Sequence, residues 1–296
     1  MRYIVPTTIT EDMLVSSSLT ETDHAAWNAG TAYILGARVI RTTTHSIYER
    51  LVPGTTATPP ESDTTNWLRV GPTNRWAAFD GAVGTRASST EDISFSIMPG
   101  VVRGLALLDL DVEGANVVMT VDGGTVYSRV ILPIQTQEDA DNWYDYFFEA
   151  VQRRTGIILT DLPPFSDGVI TVTLTGAGST ISIGALVVGP VYDLGETLAS
   201  PRIGITDYSR KTVDDFGNVS ITERAYSRKM AVDLVLPTAN VDVAAARLAR
   251  VRAKPVVWVG SVNFDSLVIY GWLKDWSITI PGRINSTCSL EVEGLV

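Results

Sequence analysis

The sequence predicts a mainly β protein, and three observations carry that reading. Short runs rich in Val, Ile, Thr and aromatic residues recur between clusters of Gly, Pro, Asp and Asn, the pattern of strands separated by turns. Hydrophobic residues make up 45 % of the 296 positions, enough for several packed cores and against wholesale disorder. Only residues 241–253 have convincing helical spacing. At about 100–200 residues per domain the length suggests two or three domains, and charge separates them. Residues 1–194 carry 22 Asp+Glu against 11 Lys+Arg, whereas residues 195–296 carry 11 against 12, including all four lysines. The net charge of −10 is therefore an acidic first two-thirds joined near residue 195 to an almost neutral remainder.

Residues 1–22 contain a polar Ser/Thr stretch and are expected to be an extended arm, ordered only by docking on something. Residues 23–74 are expected to form a small aromatic-rich unit, with strands over 33–39 and 46–52, a loop over 53–66 and a further strand over 67–70. A unit this small has little core of its own, so its aromatics are expected to fill it.

Residues 75–194 are expected to be a β-sandwich, jelly-roll-like. Leu108, Leu110 and Val112 alternate with Asp109, Asp111 and Glu113, which places carboxylates on one face of a strand and aliphatics on the other. Residues 116–121 and 125–132 flank Asp122-Gly123-Gly124 as a hairpin whose glycines permit a tight turn. Residues 141–150 are read mainly as strand, and 168–174 and 180–188 complete the pattern around a turn at 176–178.

Residues 195–296 have a different grammar. A long strand over 224–236 ends at Pro237, and the Ala- and Arg-rich helix over 241–253 is stopped by Pro255. Strands over 256–259, 267–280 and 287–292 follow. This order predicts a sheet with a helix packed on one face.

Little in the sequence points to chemistry. Clustered basic residues for nucleic-acid binding are missing, as are a membrane-length apolar run and a secretory signal pattern. Cys288 alternates with Leu290 and Val292 on a strand and reads as a small buried hydrophobe, and it cannot form an internal disulfide alone. His24 and His45 have no nucleophile-elbow sequence nearby and read as surface or turn residues. The Asp109–Glu113 alternation lacks the bidentate Glu of a calcium loop, since the twelfth position is Thr120. No catalytic residues, cofactor or metal are expected.

The segment Ala26-Trp27, Tyr33, Gly36 and Val39, followed by Tyr48 and Trp67, resembles the small chitin-binding-type carbohydrate modules. Their pattern is A-W-x5-Y-x2-G-x2-V, then an aromatic, then a closing Trp. The resemblance implies that Trp27, Tyr33, Tyr48 and Trp67 are candidate sugar-binding residues. It departs from those modules at residues 55–60, where their further exposed aromatic has no counterpart.

Residues 75–296 resemble tail-tip or baseplate (distal-tail-type) proteins of long-tailed bacteriophages. The likeness rests on Asp161-Leu162-Pro163-Pro164-Phe165, Gly204-Ile205-Thr206-Asp207-Tyr208-Ser209-Arg210-Lys211, Asp215-Phe216-Gly217-Asn218, Arg224-Ala225-Tyr226-Ser227-Arg228, Val257-Trp258-Val259-Gly260 and Tyr270-Gly271-Trp272. It implies a tail-tube-like C-terminal β domain with one helix, and a structural subunit that forms a ring with itself and other baseplate proteins. It also implies outward display of carbohydrate-binding-like domains toward a host-surface glycan, at the virion tail tip after synthesis in the host cytoplasm. A ring needs large interfaces between copies, for which Tyr226, Arg228, Arg247, Arg250 and Arg252 are the candidates. Trp258, Trp272 and Trp276 are expected in the core. The rival readings are a dedicated carbohydrate-recognition protein and a glycan-degrading enzyme with a binding module.

Overall fold

The computed structural model describes residues 1–132, 154–176, 178–213, 216–261 and 264–295, and the protein is mainly β in several antiparallel sheets. The strand expected over 141–150, residue 177 of the predicted turn and Asp215 of the tail-like string lie outside the described residues. Among the described residues no helix is long and apolar enough to cross a membrane.

The N-terminal stretch docks on its own chain. Strand β1 (Arg2–Ile4) enters the C-terminal sheet, and β2 (Leu14–Ser17) enters the sandwich. Ile9, Leu14 and Leu19 are buried in the sandwich core. The polar Ser/Thr spacing hides this anchoring, because the buried residues are single aliphatics five residues apart rather than a periodic face.

The small unit contains β3 (Ala32–Tyr33), β4 (Arg38–Arg41), β5 (Ser46–Arg50), β6 (Gly54–Thr55) and β7 (Trp67–Pro72). Strands β4, β5 and β7 form one antiparallel sheet, while β3 pairs with β6. The single strand expected over 33–39 is split in two. Gly36 adopts φ 78°, and its N–H donates to the Arg50 carbonyl at 2.8 Å, so the chain turns there.

The sandwich comprises β8 (Ala87–Ser89), β9 (Ile93–Ile97), β10 (Gly104–Asp111), β11 (Gly114–Val121), β12 (Gly124–Ile131), β13 (Gly156–Leu159), β14 (Val169–Thr175) and β15 (Ile181–Gly189). One sheet has the order β13-β10-β15-β8 and the other β12-β11-β14-β9-β2. The first of these eight strands pairs with the last, the second with the seventh, the third with the sixth and the fourth with the fifth. That nested pairing is a jelly roll. The expected single apolar face over 108–113 is corrected: all three aliphatics are buried, but Asp109, at φ 53°, is skipped in the pairing with β15, so Leu108 faces one core and Leu110 and Val112 another.

The C-terminal region adds β16 (Val191–Asp193), β17 (Glu196–Thr197), β18 (Arg202–Asp207), β19 (Arg210–Val213), β20 (Val219–Thr222), β21 (Tyr226–Pro237), helix α1 (Val241–Val251), β22 (Val256–Val259), β23 (Val268–Thr279) and β24 (Asn285–Gly294). Its main sheet runs β16-β1-β22-β23-β24-β21-β17, with β18 also pairing β21. Ala244, Leu248 and Val251 of α1 pack on Val232, Leu234, Trp258 and Leu290 in one core, as the apolar spacing of the helix predicts. Trp258 is buried there and Trp276 packs against it, but Trp272 is exposed on the opposite side. The prediction of three core tryptophans is corrected at that position, where strand alternation turns the ring outward.

The sandwich and this sheet share a second core. Ile4, Ala106, Leu108, Ala185, Val187, Val257, Val259 and Tyr270 pack together between them. Both faces of the β10–β15 pair are therefore covered, which explains why all nine residues of β15 are buried and why its sequence is almost continuously apolar. β16 belongs to the C-terminal sheet, so the sheet begins before residue 195 and takes the strand next to its β16 edge from the N-terminus.

Candidate functional site

The most unusual surface lies at one edge of the C-terminal sheet. β19 and β20 form a two-stranded hairpin whose strand residues are all exposed. Val213 faces Val219 and Lys211 faces Ile221 in register, so one side of the ribbon carries Lys211, Val213, Val219 and Ile221 and the other carries Arg210, Thr212, Ser220 and Thr222. Gly217, at φ 85°, sits in the turn, and neighbouring Phe216 is 92 % exposed. In β18 Ile203 and Ile205 are exposed as well. An isolated two-stranded ribbon is marginal in water, and contiguous exposed aliphatics of this kind mark an interaction surface.

Two of the predicted interface residues stand at the base of this projection. Tyr226 pairs with Asp207 and Arg228 with Ile205, and both side chains are exposed. They also line a cleft of about 900 Å³ between jelly roll and C-terminal sheet, together with Arg129, Asp161, Arg154 and Asp265. Those last four are paired, Arg129 with Asp161 at 2.8 Å and Arg154 with Asp265 at 3.3 Å. The helix arginines divide. Arg250 and Arg252 are exposed, whereas Arg247 lies over the Tyr192 ring at 5.3 Å. Arg247 thus ties α1 to the stack of Tyr192, Tyr3 and Trp258. The hairpin was missed in the sequence, although its alternating Val and Ile residues between turn signals were available to be read.

The four aromatics expected to hold sugar form the interior of the small unit. Tyr48 and Trp67 are buried with Val39, and Trp27 and Tyr33 pack against them. Trp27 has the Arg41 guanidinium over its ring at 5.0 Å, and Arg41 is held there by a two-toothed pair with Glu61 at 2.7 and 3.0 Å. That pairing holds the Glu61 carboxyl below the usual carboxylate range. Tyr33 meets Trp67 edge-on at 5.1 Å, and its hydroxyl accepts the Asn28 N–H. The expectation of an aromatic stacking platform is corrected for Tyr48 and Trp67, which are enclosed, and for Trp27, whose face Arg41 occupies. Four large rings are what a unit of this size needs to fill its own core.

The residues screened for chemistry have structural surroundings. Cys288 is buried, and desolvation pushes its thiol up to about 11, which leaves it protonated at neutral pH. His45 stacks on Trp76 at 4.2 Å, and its Nδ1 lies 2.9 Å from Glu21 Oε1. Trp76 Nε1 donates to the same oxygen at 2.9 Å. This trio pins the small unit, through its β4–β5 turn, to the start of the sandwich. Glu21→Ala strips both donors of their acceptor and is expected to lower stability by about 1–3 kcal/mol in chemical denaturation; an unchanged midpoint would remove the trio from the account. Asp109 forms a bidentate pair with Arg86, both contacts 2.6 Å. Among the described residues no group of three or more His, Cys, Asp or Glu side chains is placed to hold a metal ion.

Comparison with known proteins finds no matching family model and no matching curated sequence.

Proposed function

We propose that the chain is a structural assembly protein, a subunit of a bacteriophage tail tip that closes into a ring with copies of itself. The observation that carries this reading is the solvent-exposed hairpin β19–β20, on one side of which the aliphatic Val213, Val219 and Ile221 lie with Lys211, near exposed Tyr226 and Arg228. Charge supports a second copy as its occupant. Residues 202–229 carry six Lys+Arg against four Asp+Glu, while residues 1–194 carry the acidic excess, so the hairpin of one copy is matched to the acidic body of the next. A contact between two different patches of the same chain is heterologous and closes into a ring when its rotation permits. The likeness of the C-terminal strings to tail-tip proteins is what extends assembly to the virion. The domains outside the ring would then be the jelly roll and the small unit.

Sizing with light scattering tests the reading. The wild type is expected to form a discrete oligomer, and the double variant Val213→Asp, Ile221→Asp to run as a monomer with an unchanged melting temperature, since both side chains are already in water. A wild type that stays monomeric at high concentration would sink the proposal. An oligomer that survives the double variant would remove the hairpin from the interface.

A further inference from the structure

Two turns at one end of the small unit hold aliphatic side chains in water side by side. β3 pairs with β6 through Tyr33 and Gly54, so residues 34–36 run alongside 51–53, and the Gly36 N–H donates to the Arg50 carbonyl at 2.8 Å. On the first turn Ile34 and Leu35 are 75 % and 66 % exposed, and on the second Leu51 and Val52 are 40 % and 46 % exposed. Leu68, exposed on β7 opposite Glu49, continues the patch. The Ala37 N–H donates to the Ile34 carbonyl at 3.2 Å and Gly36 holds φ 78°, which makes Leu35 the outer corner of a tight turn. Such corners ordinarily carry Pro or polar residues. A single exposed aliphatic needs no explanation, whereas a contiguous group marks a contact surface.

Shape and charge say what the contact is. Successive side chains of an extended segment point to opposite sides, so a flat protein partner would cover one member of Ile34-Leu35 and of Leu51-Val52 and leave the other wet. A medium that surrounds the tip covers both. The segments that build the tip, 33–39, 50–58 and 66–70, contain Arg38, Arg50 and Arg69 and no carboxylate, although residues 1–194 as a whole are strongly acidic. Arg38 and Arg69 are exposed. Arg50, next to Leu51, is buried, and its Nε and Nη1 have no hydrogen-bond partner among the described residues. Glu49, adjacent in the chain, is already held by Arg38 at 2.8 Å. An aliphatic tip with arginines beside it, and with no carboxylate of its own to desolvate, matches the boundary between anionic lipid headgroups and acyl chains.

We infer that the small unit seats its Ile34-Leu35 and Leu51-Val52 turns on an anionic phospholipid surface. The four aliphatics enter the headgroup boundary, and the exposed arginines meet lipid phosphates. The contact lies on the bilayer and spans nothing. It does not depend on ring assembly, since the hairpin β19–β20 belongs to another part of the chain. Affinity for such a surface grows with the apolar area buried and with attraction to anionic lipid, so it is expected to fall with salt.

Co-sedimentation of the full chain with phosphatidylcholine vesicles, with and without phosphatidylglycerol, tests this. Saturable binding to the phosphatidylglycerol vesicles, weakened by salt, is expected. The double variant Leu35→Asp, Val52→Asp is expected to weaken it at least about tenfold, since each new carboxylate would have to leave water. Both positions are already exposed, so its melting temperature is expected to be unchanged, and lost binding there is not lost folding. Val101→Asp, Val130→Asp makes the same change in charge at aliphatics 60 % and 71 % exposed on the jelly roll, and it is expected to bind as the wild type does. An equal loss in that control would trace to net charge and overturn the inference. Absence of wild-type binding overturns it, as does equal binding with and without phosphatidylglycerol or undiminished binding by Leu35→Asp, Val52→Asp. A wild type that ignores vesicles but loses self-association in that variant would assign the tip to a protein contact instead.

Discussion

Tyr3→Ala is expected to lower stability by about 3–5 kcal/mol, the range for deleting a large buried aromatic ring. Tyr3 is 1 % exposed and stands in a three-residue strand that is hydrogen-bonded on both sides, to β16 and to β22. Its ring stacks on Tyr192 at 5.3 Å and on Trp258 at 5.2 Å, and Arg247 of α1 caps the outer member of that stack. One side chain thus joins the edge strand, the central sheet and the helix. Removing it leaves a void that short β1 has few other contacts to offset. Tyr3→Phe keeps the stack and is expected to keep most of the stability. Guanidinium denaturation followed by tryptophan fluorescence reads both variants, and a loss below about 1 kcal/mol for Tyr3→Ala would show that β1 is not a structural strand. The same burial pushes the Tyr3 phenol up to about 12 from its ordinary 10, as it does for Tyr270. A pKa raised by folding gives stability that is complete below the unfolded value. The protein is therefore expected to lose stability as pH climbs from 10 toward 12.

What the sequence revealed follows from how locally each element is determined. Strand β22 spans the predicted 256–259, and α1 stops two residues short of the predicted end, because alternation, helix formers and flanking prolines act within a few residues. The β11–β12 hairpin follows from its Asp-Gly-Gly turn in the same way. β1 has no such local signal. Its three residues pair with strands near positions 192 and 258, and nothing adjacent in the chain marks them as a strand paired on both sides. Residue type also fails to say which face of a ring is covered. Trp27, Tyr33, Tyr48 and Trp67 could be read as aromatic, but Arg41 and Arg50 lying over two of them depend on β4, β5 and β7 being paired. The interface candidates illustrate both limits. Tyr226 and Arg228 are exposed where expected, while Arg247 is claimed by a tyrosine 55 positions earlier in the chain.

Gly189→Ala is expected to cost about 3–5 kcal/mol, from overpacking and the loss of two backbone hydrogen bonds. A Cβ at Gly189 would fall 1.8 Å from the Val5 carbonyl oxygen and 3.0 Å from its carbon, and backbone atoms cannot swing aside as a side-chain end can. The chain crosses here from β1 toward the sandwich. Val5 N–H donates to the Pro190 carbonyl and Thr7 N–H to the Val188 carbonyl, at 3.2 and 2.8 Å. Gly104, the β10 residue opposite Gly189, meets only side-chain atoms of Ile4 and Val191 at its closest contacts. Gly104→Ala is therefore expected to cost less, about 1–3 kcal/mol. Because the Gly189 clash lies on the segment that carries β1, its damage should be local. Hydrogen exchange on Gly189→Ala is expected to lose protection at residues 2–4, 191–193 and 256–259 while 114–121 and 169–175 keep theirs. Protection lost equally in both sheets would mean that jelly roll and C-terminal sheet unfold as one unit, held by the shared core of Ile4, Ala185 and Val257 rather than by this crossing. Unchanged protection and stability would mean that the N-terminal segment does not pass over Gly189 at all, and β1 would lose its place in the sheet.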